Sequence, residues 1–470
     1  MTIDERRRRM LTGAILPTML GLAWPTVIVL LVQTAVGVAE TYYVSNLGTD
    51  ALAGVAMVFP ALMLMQMMSN GGIGGGVSAA IARALGARRK EDADALVLTA
   101  VAIAVGLGAL FSVAEIFGGR WLFTAMGGQG GVLAASRDYA DVVFAGSILI
   151  WLTSLLAAAL RGAGNVRVPA LVTLIGAIVI VPLSPALIFG WGPLPRLGVA
   201  GAGVAVLIYY AAATIVLLWY LRRRGGAIRL PLDLRLISWR LLGDVFRVGG
   251  LAALSTVQMN LTVALVTGLV GRFGADEVAG YGVASRLDYL LIPLVFGLGT
   301  AALTMVGTNI GAGNYPRARR IGWTAGLLGG AVTEAIGLFA AFYPRGWLGL
   351  FTAEPAVLAT GAHYFHLAAP SYGLVGMAML LYFAGQGAGT VFWPVVGGTA
   401  RLVIAGLGGW LLVTQVGAGL EALFIAVLLA AIAYGGTTAL AMWLVPWRPR
   451  VAGSRSGADR GEGSRYFLTG

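Results

Sequence analysis

The chain has 470 residues, of which 58% are hydrophobic and only 11% charged, against roughly 45–50% and about 25% in ordinary soluble domains. So few charges cannot cover a soluble fold of this size, and a net charge of +12, which would point to nucleic acid in a soluble protein, is broken here into short clusters between apolar runs. Cysteine is absent, which removes disulfides, thiolate metal sites and cysteine catalysis together.

Taken from the N-terminus, the chain begins with a basic arm, residues 1–15, carrying Arg6 to Arg9. The apolar run behind it continues for about thirty residues with no small-residue cleavage site, which predicts an uncleaved first helix over 16–46 rather than a signal peptide. Five more runs, each able to span a hydrocarbon core of about 30 Å, follow at 52–82, 94–118, 136–160, 168–190 and 198–221. Residues 222–247, with Pro231 and seven arginines, read as a polar linker. Six further runs, at 248–272, 278–308, 318–343, 357–385, 393–415 and 418–446, bring the expected spans to twelve. The remainder, 447–470, is rich in Gly, Ser and Arg and is expected to form a disordered tail.

The basic clusters alternate along this order. Arg83 with Arg88 to Lys90, Arg161 with Arg167, the linker arginines, Arg317 with Arg319 and Arg320, and the tail from Arg448 share their side with the basic arm. That asymmetry places both termini and the linker in the cytoplasm. Seven basic residues fall elsewhere: Arg120, Arg137, Arg196, Arg272 and Arg345 on opposite loops, and Arg286 and Arg401 within predicted helices.

The two halves are related. A shift of 225 carries Gln33 onto Gln258, and Gly86, Ala87 and Ala93 onto Gly311, Ala312 and Ala318. The same shift carries Gly162, Ala163, Gly164 and Pro169 onto Gly387, Ala388, Gly389 and Pro394. Six helices per half is an even number, so both halves enter the membrane from one side and the repeats are parallel. The expected fold is therefore all-α, with an N-lobe over 16–221 and a C-lobe over 248–446 enclosing a central cleft. The 70 glycines carry no collagen period and read as helix-packing surfaces and hinges.

The residues now become recognisable. Gln33-Thr-Ala-Val-Gly-Val-Ala-Glu40-Thr-Tyr-Tyr-Val-Ser-Asn-Leu-Gly48, with Ala51-Leu-Ala-Gly54, resembles the end of the first helix in multidrug and toxic compound extrusion (MATE) transporters. Ala82-Arg-Ala-Leu-Gly-Ala-Arg88 and Gly307-Thr-Asn-Ile-Gly-Ala-Gly-Asn314 are similar to that family's two loop signatures. Arg161-Gly-Ala-Gly-Asn165 with Pro169, and Gly385-Gln-Gly-Ala-Gly389 with Pro394, resemble its paired glycine-rich turns. The resemblance implies a secondary antiporter that exports organic, often cationic, compounds on an inward proton or sodium gradient. Such a protein would sit as a multi-pass monomer in a bacterial inner membrane. Its partners would be a small-molecule substrate and the lipid bilayer, without nucleic acid or cofactor beyond the coupling ion. Flippases for lipid-linked precursors share a similar architecture and form the alternative reading.

Glu40 is the leading coupling candidate. A carboxylate in mid-helix is costly unless it faces a cavity, is paired or is protonated. Gln33 and Tyr43 lie at i−7 and i+3 and so share its face, and Pro25 marks a hinge in the same helix. The resemblance assigns the cation- or proton-binding role of the first lobe to this acid. It also implies a sodium site completed by an Asn, an Asp and a Thr, where this chain has Ile180, Ser184 and Val206. The loss of those oxygens favours protons over sodium. Asp288 on the eighth helix is the second coupling candidate. Gln258, Asn260 and Arg286, with Met57 and Met65 on the second helix, are expected to line the substrate cleft. Thioethers suit promiscuous surfaces. Roles for Glu115, Asp141, Glu334, Arg401, His363 and His366 stay open. No Walker A, HExxH or CxxC sequence occurs, and Gly71 to Gly76 lies inside an apolar span, so neither an enzyme nor a metal site is expected.

Overall fold

The computed structural model describes residues 3–223, 226–444 and 447, with side chains from Glu5 onward. No β-strand occurs among these residues. A short basic helix, α1 (Ile3–Thr12), precedes the N-lobe, which is built from α2 (Ile15–Ser45), α3 (Thr49–Met67), α4 (Ile73–Gly86), α5 (Lys90–Ala125), α6 (Gly130–Ala145), α7 (Ser147–Gly162), α8 (Arg167–Phe189) and α9 (Val199–Arg222). The C-lobe comprises α10 (Trp239–Val270), α11 (Ala275–Gly311), α12 (Tyr315–Phe342), α13 (Pro344–Leu348), α14 (Pro355–Ala368), α15 (Tyr372–Ala388), α16 (Phe392–Leu402), α17 (Gly409–Thr414) and α18 (Leu420–Leu444). Eleven of these helices or helix pairs are long and apolar enough to cross a membrane, and the α6–α7 pair, bent by 50°, makes a twelfth.

The repeat seen in the sequence is present in the helices. Shifting α8 by 225 residues gives 392–414, the limits of the α16–α17 span. Breaks are repeated as well. The α6–α7 bend falls at Gly146, and the same shift lands on Ser371, in the 3₁₀ turn Ala369–Ser371 that separates α14 from α15. Two π-helical segments, Met68–Gly72 between α3 and α4 and Val403–Gly408 between α16 and α17, are not repeat mates.

Several helices outrun their apolar stretches, because a helix does not stop where the hydrocarbon does. The linker expected over 222–247 is shortened: Ser238, whose hydroxyl accepts from the Leu241 amide at 3.4 Å, caps α10 at Trp239. Arg240, Asp244 and Arg247 therefore stand on a helix. Trp447, expected to open the disordered tail, is instead buried: its indole donates to the Met442 carbonyl at 3.1 Å and packs on Gly322. Pro446 and the tail from Arg448 lie outside the described residues.

The N-lobe core gathers Trp151, Phe123, Leu155 and Met65, all fully buried. In the C-lobe, Phe365, Phe424 and Leu348 form the centre of one cluster. A second cluster joins C-lobe residues such as Met305 and Leu380 to Met10, Met19 and Ala23 of α1 and α2. The first helix of each lobe thus packs on the second helix of the other. The glycines that permit this are specific: a Cβ on Gly76 would meet the Gly249 backbone at 2.8 Å, and one on Gly72 would meet Ala253 at 2.9 Å. These approaches lie in the arginine-rich half of the molecule. Toward the other end α2 is less enclosed: between Thr26 and Val44 it has no buried residue, and a Cβ added at Gly37 would meet no atom within 4 Å.

Candidate functional site

Glu40 lies on the open stretch of α2. Its Oε1 is buried and has no hydrogen-bond partner, although the residue as a whole is only half-buried. Its electrostatic neighbours are Tyr139 on α6 and Tyr210 on α9. Neither was expected from the sequence; the available signal was a phenol inside an otherwise apolar span. Gln33 is exposed and Tyr43 packs on the N-lobe core, and no hydrogen bond joins either to Glu40. One turn below, Val36 packs with Ile180, Val206 and Tyr210 in a small apolar cluster. The Ser184 hydroxyl is buried without a partner. The positions where the resemblance expects an Asn and a Thr, Ile180 and Val206, thus present hydrocarbon to Val36 one turn from Glu40. Pro25 is buried within α2, which stays helical through it.

In the C-lobe, Asp288 accepts a hydrogen bond from the Tyr364 hydroxyl at 3.3 Å and lies near Arg401, whose guanidinium is 5.9 Å from the Tyr434 ring. Arg286 does not join it. That side chain is exposed, with its guanidinium 5.5 Å from the Phe351 ring in the loop after α13. Gln258 is buried and donates to the Thr399 hydroxyl of its own lobe at 2.8 Å. Asn260, two residues on, donates to Met67 of the N-lobe at 3.5 Å and so stands at the lobe interface.

The methionines also divide. Ala51, Gly54, Val58, Leu62 and Met65 form the buried stripe of α3 at helical spacing, which puts Met65 in the N-lobe core rather than on the cleft. Met57 packs on the same core, with its sulfur 3.8 Å from the Ser136 hydroxyl. Met67, rather than either, reaches across. The remaining charges are paired or absorbed locally: Arg137 lies 3.0 Å from Asp141 and 3.6 Å from Glu115, and Glu334 accepts from the Gly373 amide at 2.7 Å. His363 packs on the Phe424 ring, and His366 is exposed.

At the arginine-rich end the lobes are fastened by polar side chains. Arg83 on α4 donates to Asp244 on α10 at 2.8 Å and to the carbonyls of Gln386 and Gly387 on α15 at 3.3 Å. Gln386 reaches the opposite way, its amide 3.5 Å from the Gly71 carbonyl and its body against Gly75. The Gly71 to Gly76 stretch is thus a lobe-docking notch. No cluster of three or more His, Asp or Glu side chains able to hold a metal occurs among the described residues.

The arrangement, two related six-helix lobes fastened together at the arginine-rich end, matches known proteins. The MatE family model matches residues 25–186 and 252–411, one stretch in each lobe. The chain is 27% identical over 382 residues to the FAD transporter of Shewanella oneidensis, covering 80% of this chain and 82% of that one. It is 30% identical over 342 residues to a probable multidrug resistance protein, NorM, of Deinococcus radiodurans, covering 69% and 70%. Among solved structures, a MOP superfamily transporter from Pyrococcus furiosus, described as having a binding pocket of reverse polarity, superposes with a TM-score of 0.83 at 24% identity, over 93% of this chain and 96% of that one. With its family match in both lobes and its paired six-helix fold, the chain is a multi-pass membrane protein and a member of the MATE transporter family.

Proposed function

We propose that this protein is a secondary active antiporter that exports organic, chiefly cationic, drugs or toxic metabolites, driven by inward proton flow through alternating access. The observation that carries the reading is the Glu40 carboxyl within a membrane span, one of whose oxygens is buried with no donor to satisfy it. Protonation removes its charge and gives the carboxyl a donor of its own. Release of that proton in the other state supplies the coupling. The apolar cluster of Val36, Ile180 and Val206 beside it supports protons over sodium, since a sodium ion requires several oxygen ligands.

The arginine-rich end is the cytoplasmic one on this reading, so the cleft faces outward, and the protein works as a monomer in a bacterial inner membrane without a cofactor. Asp288, with Tyr364 and Arg401, is the polar centre of the C-lobe wall and the second coupling candidate. Proteoliposomes loaded with a panel of cationic dyes test the reading, with pH and sodium gradients imposed separately. A pH gradient alone should drive transport and a sodium gradient alone should not. The likeness to an FAD transporter over 80% of the chain favours a second substrate reading, a flavin nucleotide, and places FAD in the same panel. Sodium-driven uptake without response to pH would overturn the proton assignment.

A further inference from the structure

A cavity of about 530 Å³ lies at the arginine-rich end between α1, the α4–α5 turn, the end of α7 and the linker. Four cationic side chains line it, Arg6, Arg7, Arg88 and Lys90, and no acidic side chain does so among the described residues. Among the described residues, no carboxylate pairs directly with these four cations. Arg7 donates through Nη2 to the Gly86 carbonyl at 3.0 Å, but its Nε is buried with no acceptor. Arg6, Arg88 and Lys90 enter no ion pair among the described residues, where the pairs formed are those of Arg83, Arg89, Arg137 and Arg240. Asp94, the acid near Lys90, is engaged with the Arg229 amide of the linker at 2.7 Å.

The backbone adds an independent observation. Arg88 has φ of 60°, the left-handed region that L side chains adopt only at a cost. Its repeat mate, 225 residues on, is Gly313, with φ of 76°. Both lobes make the same turn. One makes it with the residue suited to that conformation, and the other keeps an arginine there. Orientation in the membrane requires basic loops, but not a strained arginine on the wall of a cavity with three other cations.

We propose that this cavity binds a phosphate-bearing anion, its oxygens taking charge-assisted hydrogen bonds from Arg7, Arg88 and Lys90. The ligand joins the lobes. α1 belongs to the C-lobe side, where Asn309 donates to the Met10 carbonyl at 3.1 Å and Arg317 donates to the carbonyls of Met10 and Gly13. Arg88 and Lys90 belong to the N-lobe. An anion held between them stabilises the arrangement in which this end is closed and the cleft is open at the other. Both an anionic phospholipid head group beside the basic helix and a soluble phosphate compound carry this chemistry.

The test uses the full chain. Its thermal unfolding is followed in neutral detergent with inorganic pyrophosphate, against sodium chloride of equal ionic strength. A second arm uses phosphatidylcholine nanodiscs with and without phosphatidylglycerol. The substitution Arg88→Gly installs the residue of the repeat mate and relaxes the turn, so it should fold; Lys90→Gln serves as the second variant. The wild type should show a saturable rise of a few degrees with at least one source, and either variant should require about tenfold more of it. A response to pyrophosphate alone assigns a soluble phosphate, and a response to phosphatidylglycerol alone assigns a lipid head group; either supports the site. No saturable response to either source, or responses unchanged in both variants, would overturn it.

Discussion

Arg83 belongs to the N-lobe by sequence, yet its guanidinium is committed to the C-lobe through Asp244 and two carbonyls of α15. In the sequence it reads as one more basic residue at a cytoplasmic loop. Nothing in a linear pattern connects it to an acid 161 positions away. Arg83→Ala removes charge-assisted bonds worth about 1.5–3 kcal/mol each to the closed end. The expected outcome is a shift of roughly tenfold or more toward separation of the lobes there. Cross-linking of an introduced cysteine pair measures it cleanly, because the chain has no cysteine of its own. Glu40 is the opposite case. Its chemical type was evident from the sequence, but its neighbours Tyr139 and Tyr210 were not, since they come from other helices. Residue spacing along α2 groups Gln33, Glu40 and Tyr43 on one broad face but does not determine which of them touch.

Among the elements, helix crossings decide which small residues matter. The sequence marks the glycines as packing surfaces only as a class. The structure separates Gly76, whose added Cβ would meet the Val245 carbonyl at 2.6 Å, from Gly243, where an added Cβ would meet nothing within 4 Å beyond its own helix backbone. Gly243→Ala in α10 should therefore stabilise the protein by about 0.5–1 kcal/mol through helix propensity. Gly76→Ala should force α4 and α10 apart and abolish cooperative docking of the lobes. Comparing the unfolding midpoints of the two variants checks this; equal shifts would contradict the crossing. The same distinction explains the methionines. A run rich in Met can be read from the sequence, but only the buried stripe through Ala51, Val58 and Met65 shows that Met67 is the one turned to the other lobe. Element ends were the least legible, because capping by Ser238 extends α10 into the polar linker.

For the whole molecule, the duplication was legible because its offset is nearly constant; the paired breaks at Gly146 and Ser371, inside spans the sequence reads as continuous, came only from the structure. What the repeat cannot reveal is where the two lobes differ, and the proposed chemistry lies in those differences: Glu40 on α2, Asp288 on α11, and Arg88 opposite Gly313. Sidedness is open to direct test. Leu232 is 69% exposed in the linker, and Leu232→Cys should be labelled only from the cytoplasm; labelling from outside would reverse the proposed topology. The energetics add a constraint. One proton moving inward gains about 2.3 kcal/mol per 100 mV and about 1.4 kcal/mol per pH unit. A one-for-one exchange with a monovalent cation cancels the voltage contribution, so large cation gradients require more than one proton per cycle.

The account rests most directly on Glu40 as the group through which protons drive export, and one measurement reaches that claim. Proteoliposomes carrying the wild type and Glu40→Gln are given the same imposed pH gradient with no sodium, and transport of a dye is followed. Gln keeps the shape of the protonated acid, so the variant should reconstitute in comparable amount and bind the dye while its pH-driven transport falls to the level of empty liposomes. A well-reconstituted Glu40→Gln protein whose transport still follows the pH gradient would contradict the account and move the coupling to the C-lobe, at Asp288.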